Sequence, residues 1–224
     1  MTPLDGNDLV DAGQTGLVRH TYGYFSAHQS PDGSLVHSGP KRGEGYQYTA
    51  PDGTAYQRNW SYHEDGSPTG IIGHGVTGPV VNGKQVVALT IINRVDHTYS
   101  QTRTEYAVTG DADPAESPTL SLASSPSEVQ QALRSGQVPR LGTTRIDGTP
   151  VTALSIALPL PDAESIHLTL YVDARTHQPL RTVTVVDGNP GPYVADRIPA
   201  TPGNIAKATD DSIPAGYTQV DRAG

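Results

Sequence analysis

Histidine and carboxylate side chains come together at one place in the sequence, the run His63-Glu64-Asp65, with His74 further along the chain. These residue types bind metal ions or transfer protons, and strand alternation places His63 and Asp65 on the same side. A zinc site needs three or four convergent ligands, however, and this stretch supplies two plausible ones. Because Gly66 follows directly, a solvated hairpin tip is the competing interpretation. A secreted hydrolase or metal enzyme around His63 and His74 is therefore kept as an alternative, not as the main prediction.

The usual catalytic signatures are missing from the sequence. The chain has no cysteine, which removes disulfides, thiolate metal sites and thiol nucleophiles together. It also lacks a Gly-x-Ser-x-Gly elbow, a His-Glu-x-x-His pair and a glycine-rich phosphate or dinucleotide loop. We predict no catalytic residue, no metal site and no cofactor, and therefore a protein that is not an enzyme.

The large side chains are nearly all amphipathic aromatics, since the chain has 11 tyrosines but only one tryptophan, one phenylalanine and one methionine. Strand alternation puts Tyr56, Trp60 and Tyr62 on one face of a strand, and Tyr22 and Tyr24 on one face of another. One interpretation is an ordinary β-core whose tyrosine hydroxyls reach the rim. The other is a partly open, concave sheet whose aromatic and aliphatic lining receives an apolar ligand.

Composition excludes two classes of partner. Acidic residues outnumber basic ones by 23 to 15, which gives a formal net charge of −8 at pH 7 without any basic cluster. Such a chain is a poor binder of nucleic-acid phosphates or of an anionic membrane surface. No apolar run reaches the length of a membrane span, and the start of the sequence does not look like a signal peptide. Composition alone leaves a cytosolic protein and a trimmed ectodomain both open.

Turn signals recur at short intervals, as expected of an antiparallel β-protein. They are Pro31-Asp32-Gly33, Pro51-Asp52-Gly53, Glu64-Asp65-Gly66, Val81-Asn82-Gly83, Ile146-Asp147-Gly148 and Val186-Asp187-Gly188. Between them we predict about nine or ten strands, including residues 17–28, 54–63, 84–94, 96–109, 143–146, 150–158, 164–173 and 180–186. Residues 84–94 are too uniformly apolar to show a period, which predicts a central strand covered on both sides.

One helix is predicted among these strands. Ser125 and Glu128 form a capping box with a proline at the first helical position, and Gly136 is suited to a left-handed C-cap. A second short helix is predicted over residues 204–208. Residues 110–124 are rich in Asp, Pro, Ala and Ser and are predicted to be a mobile segment that crosses the fold.

The C-terminal third carries a recognisable pattern. It consists of Arg145-Ile146-Asp147-Gly148, Pro150-Val151-Thr152-Ala153-Leu154, Leu168-Thr169-Leu170-Tyr171-Val172-Asp173 and Gln178-Pro179-Leu180-Arg181. This pattern resembles the core of the LolA-like superfamily, which includes periplasmic lipoprotein carriers, mycobacterial lipid-binding lipoproteins and the sensor domain of RseB-type regulators. Trp60 with Glu64-Asp65-Gly66-Ser67, and the ending from Ile198 to Tyr217, are similar to actinobacterial secreted members.

Part of this pattern has a direct physical explanation. Asp173 ends a strand, and its carboxylate can accept backbone N–H groups in the turn over residues 174–177. Pro179 then fixes φ at the entry of the returning strand. We therefore predict a structural role for Asp173 and not a catalytic one.

The resemblance implies a mainly β fold: a strongly curved antiparallel sheet, half-barrel in form, with one or two short helices on the concave side. We predict a flexible segment over residues 1–16, a single domain over 17–217 and a tail over 218–224. Family members usually begin with a long amphipathic helix, and secreted ones carry a lipidated cysteine. Neither is found here, which suits a truncated ectodomain.

The function that the resemblance implies is non-enzymatic and extracytoplasmic, in a protein that is secreted or membrane-anchored. The ligand would be a lipid, a lipoprotein acyl chain or another apolar molecule held in the concave face. The candidate lining residues are Tyr22, Tyr56, Trp60, Leu168 and Leu170. The alternative from another class is an envelope-sensing regulatory module that contacts a membrane-bound regulator or a lipoprotein and needs no ligand.

Overall fold

The computed structural model describes residues 16–23, 25–108, 120–157 and 166–221. The strands are β1 (Gly16–Gly23), β2 (Ser26–Gln29), β3 (Leu35–Ser38), β4 (Lys41–Thr49), β5 (Ala55–Tyr62), β6 (Pro68–Thr77), β7 (Lys84–Asn93), β8 (Thr98–Ala107), β9 (Arg140–Ile146), β10 (Thr149–Ala157), β11 (Ile166–Asp173), β12 (Pro179–Val186), β13 (Asn189–Ile198) and β14 (Thr218–Gln219). The helices are α1 (Pro126–Ser135) and α2 (Pro202–Thr209). The predicted flexible segment 1–16 lies almost wholly outside the described residues, as do Tyr24 and most of the predicted crossing segment 110–124.

Within the described residues, twelve strands form one curved sheet that does not close into a barrel. The strand order is β14-β8-β7-β6-β5-β4-β1-β13-β12-β11-β10-β9. All neighbouring pairs are antiparallel except β14 with β8. The sheet thus consists of two meanders, β4 to β8 and β9 to β13, which β1 joins in the middle. This confirms the predicted fold class.

Two-residue turns set several of the hairpins. Asn82-Gly83, Asp147-Gly148 and Asp187-Gly188 all have positive φ at both residues, between 48° and 77°. A type I′ turn needs positive φ at both central positions, and its twist matches that of the flanking strands. The turn over residues 174–177 is held as predicted, because Asp173 accepts hydrogen bonds from the backbone N–H groups of Arg175 (2.9 Å) and Thr176 (2.6 Å).

The two helices lie on opposite faces of the sheet. We call the face that α1 covers the α1 face and the other the α2 face. On the α1 face, Val129 and Ala132 of α1 pack against buried residues of β1, β10, β11 and β13: Val18, Leu154, Ile156, Leu170, Val172 and Ala195. On the α2 face, α2 packs against β4 and β5, and Phe25 and Leu35 cover a second core. One helix at most can therefore lie on the concave side.

The first helix begins as the sequence predicts, and the second begins two residues earlier than predicted. Ser125 and Glu128 form the capping box of α1, and Gly136 ends it with φ of 70°. Thr201 caps α2, which extends beyond the predicted residues 204–208 at both ends. In the part of the chain that the structure describes, neither helix is long and apolar enough to cross a membrane.

The prediction that β7 is a central strand is wrong. The apolar strand β7 is not central, because only β8 and the short β14 lie beyond it in the sheet. Its residues Leu89 and Ile91 remain only partly buried on the α1 face. The predicted tail, 218–224, contributes β14, which pairs with β8.

Candidate functional site

On the α1 face, β6 is not covered by any residue that the structure describes. Because side chains alternate along a strand, Ile72, His74 and Val76 point to the α2 face, and Gly73 and Gly75 to the α1 face. The register places two residues of β5 and two of β7 beside these glycines. We call the six residues the glycine floor: Gln57, Asn59, Gly73, Gly75, Leu89 and Ile91.

None of the described residues fills the space above the two glycines of the floor. A Cβ added at Gly73 or Gly75 would meet no described atom within 4 Å. Leu89 and Ile91 are only partly buried, although they are the largest apolar side chains of the floor. The register places Thr102 of β8 beside Leu89, and Ser100 of β8 beside Ile91. The floor and these two neighbouring residues therefore carry no charged side chain.

On the side of β4 and β1, the floor borders a hydrogen bond between Asn59 and His20. The Asn59 Oδ1 atom accepts a hydrogen bond from His20 Nε2 at 2.8 Å and a longer one from Gln57 Nε2 at 3.4 Å. Gly45 makes room for this contact, because a Cβ there would lie 2.1 Å from Asn59 Oδ1 and 2.2 Å from His20 Nε2. Glycine thus serves two different purposes on the two strands that flank β5: on β4 it accommodates the protein's own side chains, and on β6 it leaves space among the described residues.

Three rings extend this border along β1 and β13. His20 lies 5.5 Å from Tyr22 and 6.5 Å from Tyr193, and the two tyrosine rings are 5.2 Å apart, between centroids. Burial lowers the pKa of His20 and raises the pKa of Tyr22 and Tyr193. All three rings are therefore neutral at pH 7, so this side of the floor is uncharged too.

The five predicted lining residues do not share one surface. Leu170 is 0% exposed and Leu168 packs against the same core beneath α1, so the protein's own helix fills this part of the α1 face. Tyr22 also lies on the α1 face, but the register sets it beside Gly43 and outside the floor. Tyr56 and Trp60 lie on the α2 face.

The two aromatic residues on the α2 face already have partners there. Trp60 meets the Tyr46 ring edge-on at 5.9 Å, and the Arg58 guanidinium lies 5.3 Å from its ring centroid. Tyr56 stacks on Tyr48 at 6.4 Å. α2 closes over this region, since Arg58 forms an ion pair with Asp210 directly after the helix.

His63 and His74 are also separated. His63 is exposed in the turn between β5 and β6, whereas His74 is 3% exposed in the middle of β6 beneath α2. Burial lowers the pKa of His74. Among the described residues there is no group of three or more histidines and carboxylates that could hold a metal ion. The geometry thus gives the metal-enzyme alternative no site in the described part of the chain.

The sequence interpretation missed the glycine floor. The available signal was the run Ile71-Ile72-Gly73-His74-Gly75-Val76, in which two glycines share one face of a strand. Glycine inside a strand often marks a place where a ligand or another backbone approaches closely. A shallow depression of about 240 Å³ lies between β7 and β8, lined by Ala88, Leu89, Thr90, Gln101, Thr102 and Arg103. Four of these six residues direct their side chains to the α2 face, so the depression is not part of the glycine floor.

No protein-family model and no curated protein matches the sequence. Solved structures that resemble the chain include MucB, with 17% sequence identity and a TM-score of 0.32 over 85% of this chain and 55% of that one. The MucA/MucB complex of Pseudomonas aeruginosa gives 16% identity and a TM-score of 0.31, covering 88% of this chain and 58% of that one. An uncharacterized conserved protein from Thermus thermophilus gives 10% identity and a TM-score of 0.39, covering 96% of each chain. The chain thus spans little more than half of the MucB chain, and no family is identified at these scores.

Proposed function

We propose that the protein binds an apolar guest, such as the acyl chain of a lipid or lipoprotein, on the glycine floor of its α1 face. The role is that of a non-enzymatic binding module that works outside the cytoplasm. One observation carries the proposal: Gly73 and Gly75 stand side by side on one face of β6, with no described atom within 4 Å above them.

Backbone conformation does not account for these two glycines. Neither has the positive φ that would favour glycine over other residues. Glycine inside a strand costs roughly 0.5–1 kcal/mol relative to alanine. At Gly45 the cost is offset by the room made for His20 and Asn59, but no side chain described in the structure uses the room above Gly73 and Gly75. Since none of the described residues fills this space, we propose that a molecule outside the chain occupies it.

The chemistry of the floor favours an uncharged guest. Leu89 and Ile91 form an aliphatic strip along β7, and Ile71 of β6 is 43% exposed next to the floor. Each methylene that a guest buries contributes about 0.8 kcal/mol, so part of an acyl chain is enough for measurable affinity. The amides of Gln57 and Asn59 offer polar contacts for an ester or amide group at one end of the guest.

Filling the floor tests the proposal. Gly75→Val and Gly73→Val place a branched side chain in the open space, and Gly203→Val adds the same bulk on α2, where a Cβ also meets no described atom within 4 Å. We expect the two floor variants to weaken binding of an apolar fluorescent probe at least about tenfold, equivalent to 1.4 kcal/mol, and the α2 variant to leave it unchanged. Floor variants that keep a normal melting temperature and bind the probe like the wild type would exclude the floor as the site.

Trp60→Ala separates this proposal from the original aromatic lining, because Trp60 lies on the opposite face. Loss of probe binding in Trp60→Ala, with normal binding in Gly75→Val, would move the site to the α2 face.

The rival role, contact with a membrane-bound regulator, stays a prediction. Organic extraction and mass spectrometry of the purified protein distinguish the two roles, since only the first predicts a co-purifying lipid.

A further inference from the structure

β8 forms one edge of the sheet, and only its beginning is covered. β14 runs parallel to it and pairs with Thr98 and Tyr99 alone. The backbone N–H of Thr218 donates to His97 O at 3.0 Å, and that of Val220 donates to Tyr99 O at 2.8 Å. Odd-numbered residues of β8 therefore direct their backbone groups outward, and the even-numbered ones pair with β7.

Beyond Tyr99 the edge is open among the residues that the structure describes. All residues from Gln101 to Ala107 are exposed, and no described strand pairs with their outer side. The outward-facing backbone groups of Gln101, Arg103 and Glu105 form a row of unpaired donors and acceptors. Such a row is a template for another strand.

The side chains of this edge complement a second copy of themselves. An antiparallel pair of β8 strands with its two-fold axis at Thr104 sets Arg103 opposite Glu105 twice. It also sets Thr102 opposite Tyr106 twice and Thr104 opposite itself. Opposite charges, aromatic with β-branched residues, and threonine pairs are the combinations that stabilise neighbouring strands.

The neighbouring registers lack this complementarity. An axis at Arg103 sets two arginines opposite each other, and an axis at Glu105 sets two glutamates opposite each other; both arrangements are destabilising. In the register centred on Thr104, the outward-directed residues Arg103 and Glu105 also face each other as a hydrogen-bonded pair, as antiparallel geometry requires.

We propose that two copies of this chain associate through β8, antiparallel and centred on Thr104, into one continuous sheet across the dimer. A two-fold axis of this kind is perpendicular to the sheet. The α1 faces of both copies then lie on the same side, and their glycine floors flank the new junction. This inference concerns the edge of the sheet and does not depend on what the floors bind.

Sedimentation equilibrium of the full chain tests the proposal between about 1 µM and about 1 mM, the range in which weak complexes dissociate. We expect the wild-type mass to rise toward twice that of the monomer. Arg103→Glu sets like charges opposite each other and is expected to remain monomeric, while its intramolecular neighbours Lys84 and Glu105, 2.6 Å apart, keep their ion pair. The double variant Arg103→Glu/Glu105→Arg restores the complementary pairs and is expected to dimerise again.

Arg94→Glu makes the same charge change in the exposed turn after β7 and is the matched control. Circular dichroism of every variant checks that the sheet is intact. A wild type that stays monomeric throughout, as it would if the chain's own last residues occupied the edge, overturns the proposal. So does an Arg103→Glu variant that dimerises as well as the wild type and the Arg94→Glu control.

Discussion

The α1 face is built in two different ways along one sheet. Beneath α1, the inward positions of β10 and β11 hold Leu154, Leu170 and Val172, all 0% exposed. Over β6 the equivalent positions hold Gly73 and Gly75, with nothing described above them. The backbone is a regular antiparallel ladder in both regions. The two regions thus differ in their residues at alternate positions: large apolar side chains meet α1 in one, and glycines in the other meet no described atom.

The same contrast distinguishes the two roles that a half-open face could have. The closed half supplies stability, because a helix and several strands bury their apolar side chains there together. In the open half, Leu89 and Ile91 are only partly buried by described residues, so substitutions there should cost less stability. Substitutions in the closed half should therefore lower the stability of the fold, and substitutions in the open half should change the binding of a guest.

The largest effect is expected from Leu170→Ala in the closed half. A fully buried leucine replaced by alanine costs about 2–5 kcal/mol, because a cavity remains. The matched change in the open half, Leu89→Ala, should cost about 1 kcal/mol or less, since that side chain is partly exposed. Urea unfolding of both variants measures the difference, and equal losses would contradict the division of the face into two halves.

The next effect concerns the two kinds of glycine. Gly45→Ala brings a Cβ within 2.2 Å of His20 Nε2 and 2.9 Å of the Arg58 carbonyl oxygen, so it should destabilise the fold by about 1–3 kcal/mol. Gly75→Ala meets no described atom and should leave the free energy of unfolding unchanged or raise it by up to about 1 kcal/mol. Similar destabilisation of both variants would mean that the space above Gly75 is filled.

Acid should destabilise the fold through its buried histidines. Burial lowers the pKa of His20 and His74, and it lowers that of His37 to about 4, against an ordinary value of 6.5. The unfolded chain binds more protons below pH 6.5, so stability should fall as the pH drops below that value, by at most about 1.4 kcal/mol per pH unit for each proton. In His20→Gln, which keeps a donor for Asn59, the slope measured between pH 7.5 and 5 should be smaller; an unchanged slope would remove His20 from this account.

The smallest effect is expected at the start of the helix that closes one half. The Ser125 hydroxyl accepts from the backbone N–H of Glu128, and the Glu128 carboxylate accepts from the backbone N–H of Ser125. Ser125→Ala should cost about 1 kcal/mol of stability by removing the cap. Probe binding at the open half should not change, and a parallel loss of binding would show that α1 contributes to the site.

Local signals explain what the sequence could predict. The capping box at Ser125 and the Asp-Gly turns depend on a few adjacent residues, and both are found in the structure. The mainly β character follows from the same turns. The strands β4, β6 and β13 were not predicted, because their glycines and prolines interrupt the apolar pattern by which strands are recognised.

The candidate site was harder to predict for a related reason. Alternation tells which residues share a face of one strand, but it does not tell which faces of different strands meet. Alternation alone therefore assigns Tyr22 and Trp60 to one lining, although the register places them on opposite faces. The floor is centred on two glycines, which have no side chain, whereas strand periodicity is recognised from the pattern of apolar and polar side chains.

The position of β1 has a consequence for how the chain reaches its native state. Each meander can assemble from consecutive hairpins, but β1 joins them by pairing with β4 on one side and with β13 on the other. The ion pair between Arg19 and Asp196, at 2.9 Å, spans 177 residues of sequence. Long-range pairing of this kind slows folding, because the entropy of closing a large loop is lost before the stabilising contacts form. During synthesis one side of β1 can pair with β4 early, whereas its other side stays unpaired until β13 has left the ribosome.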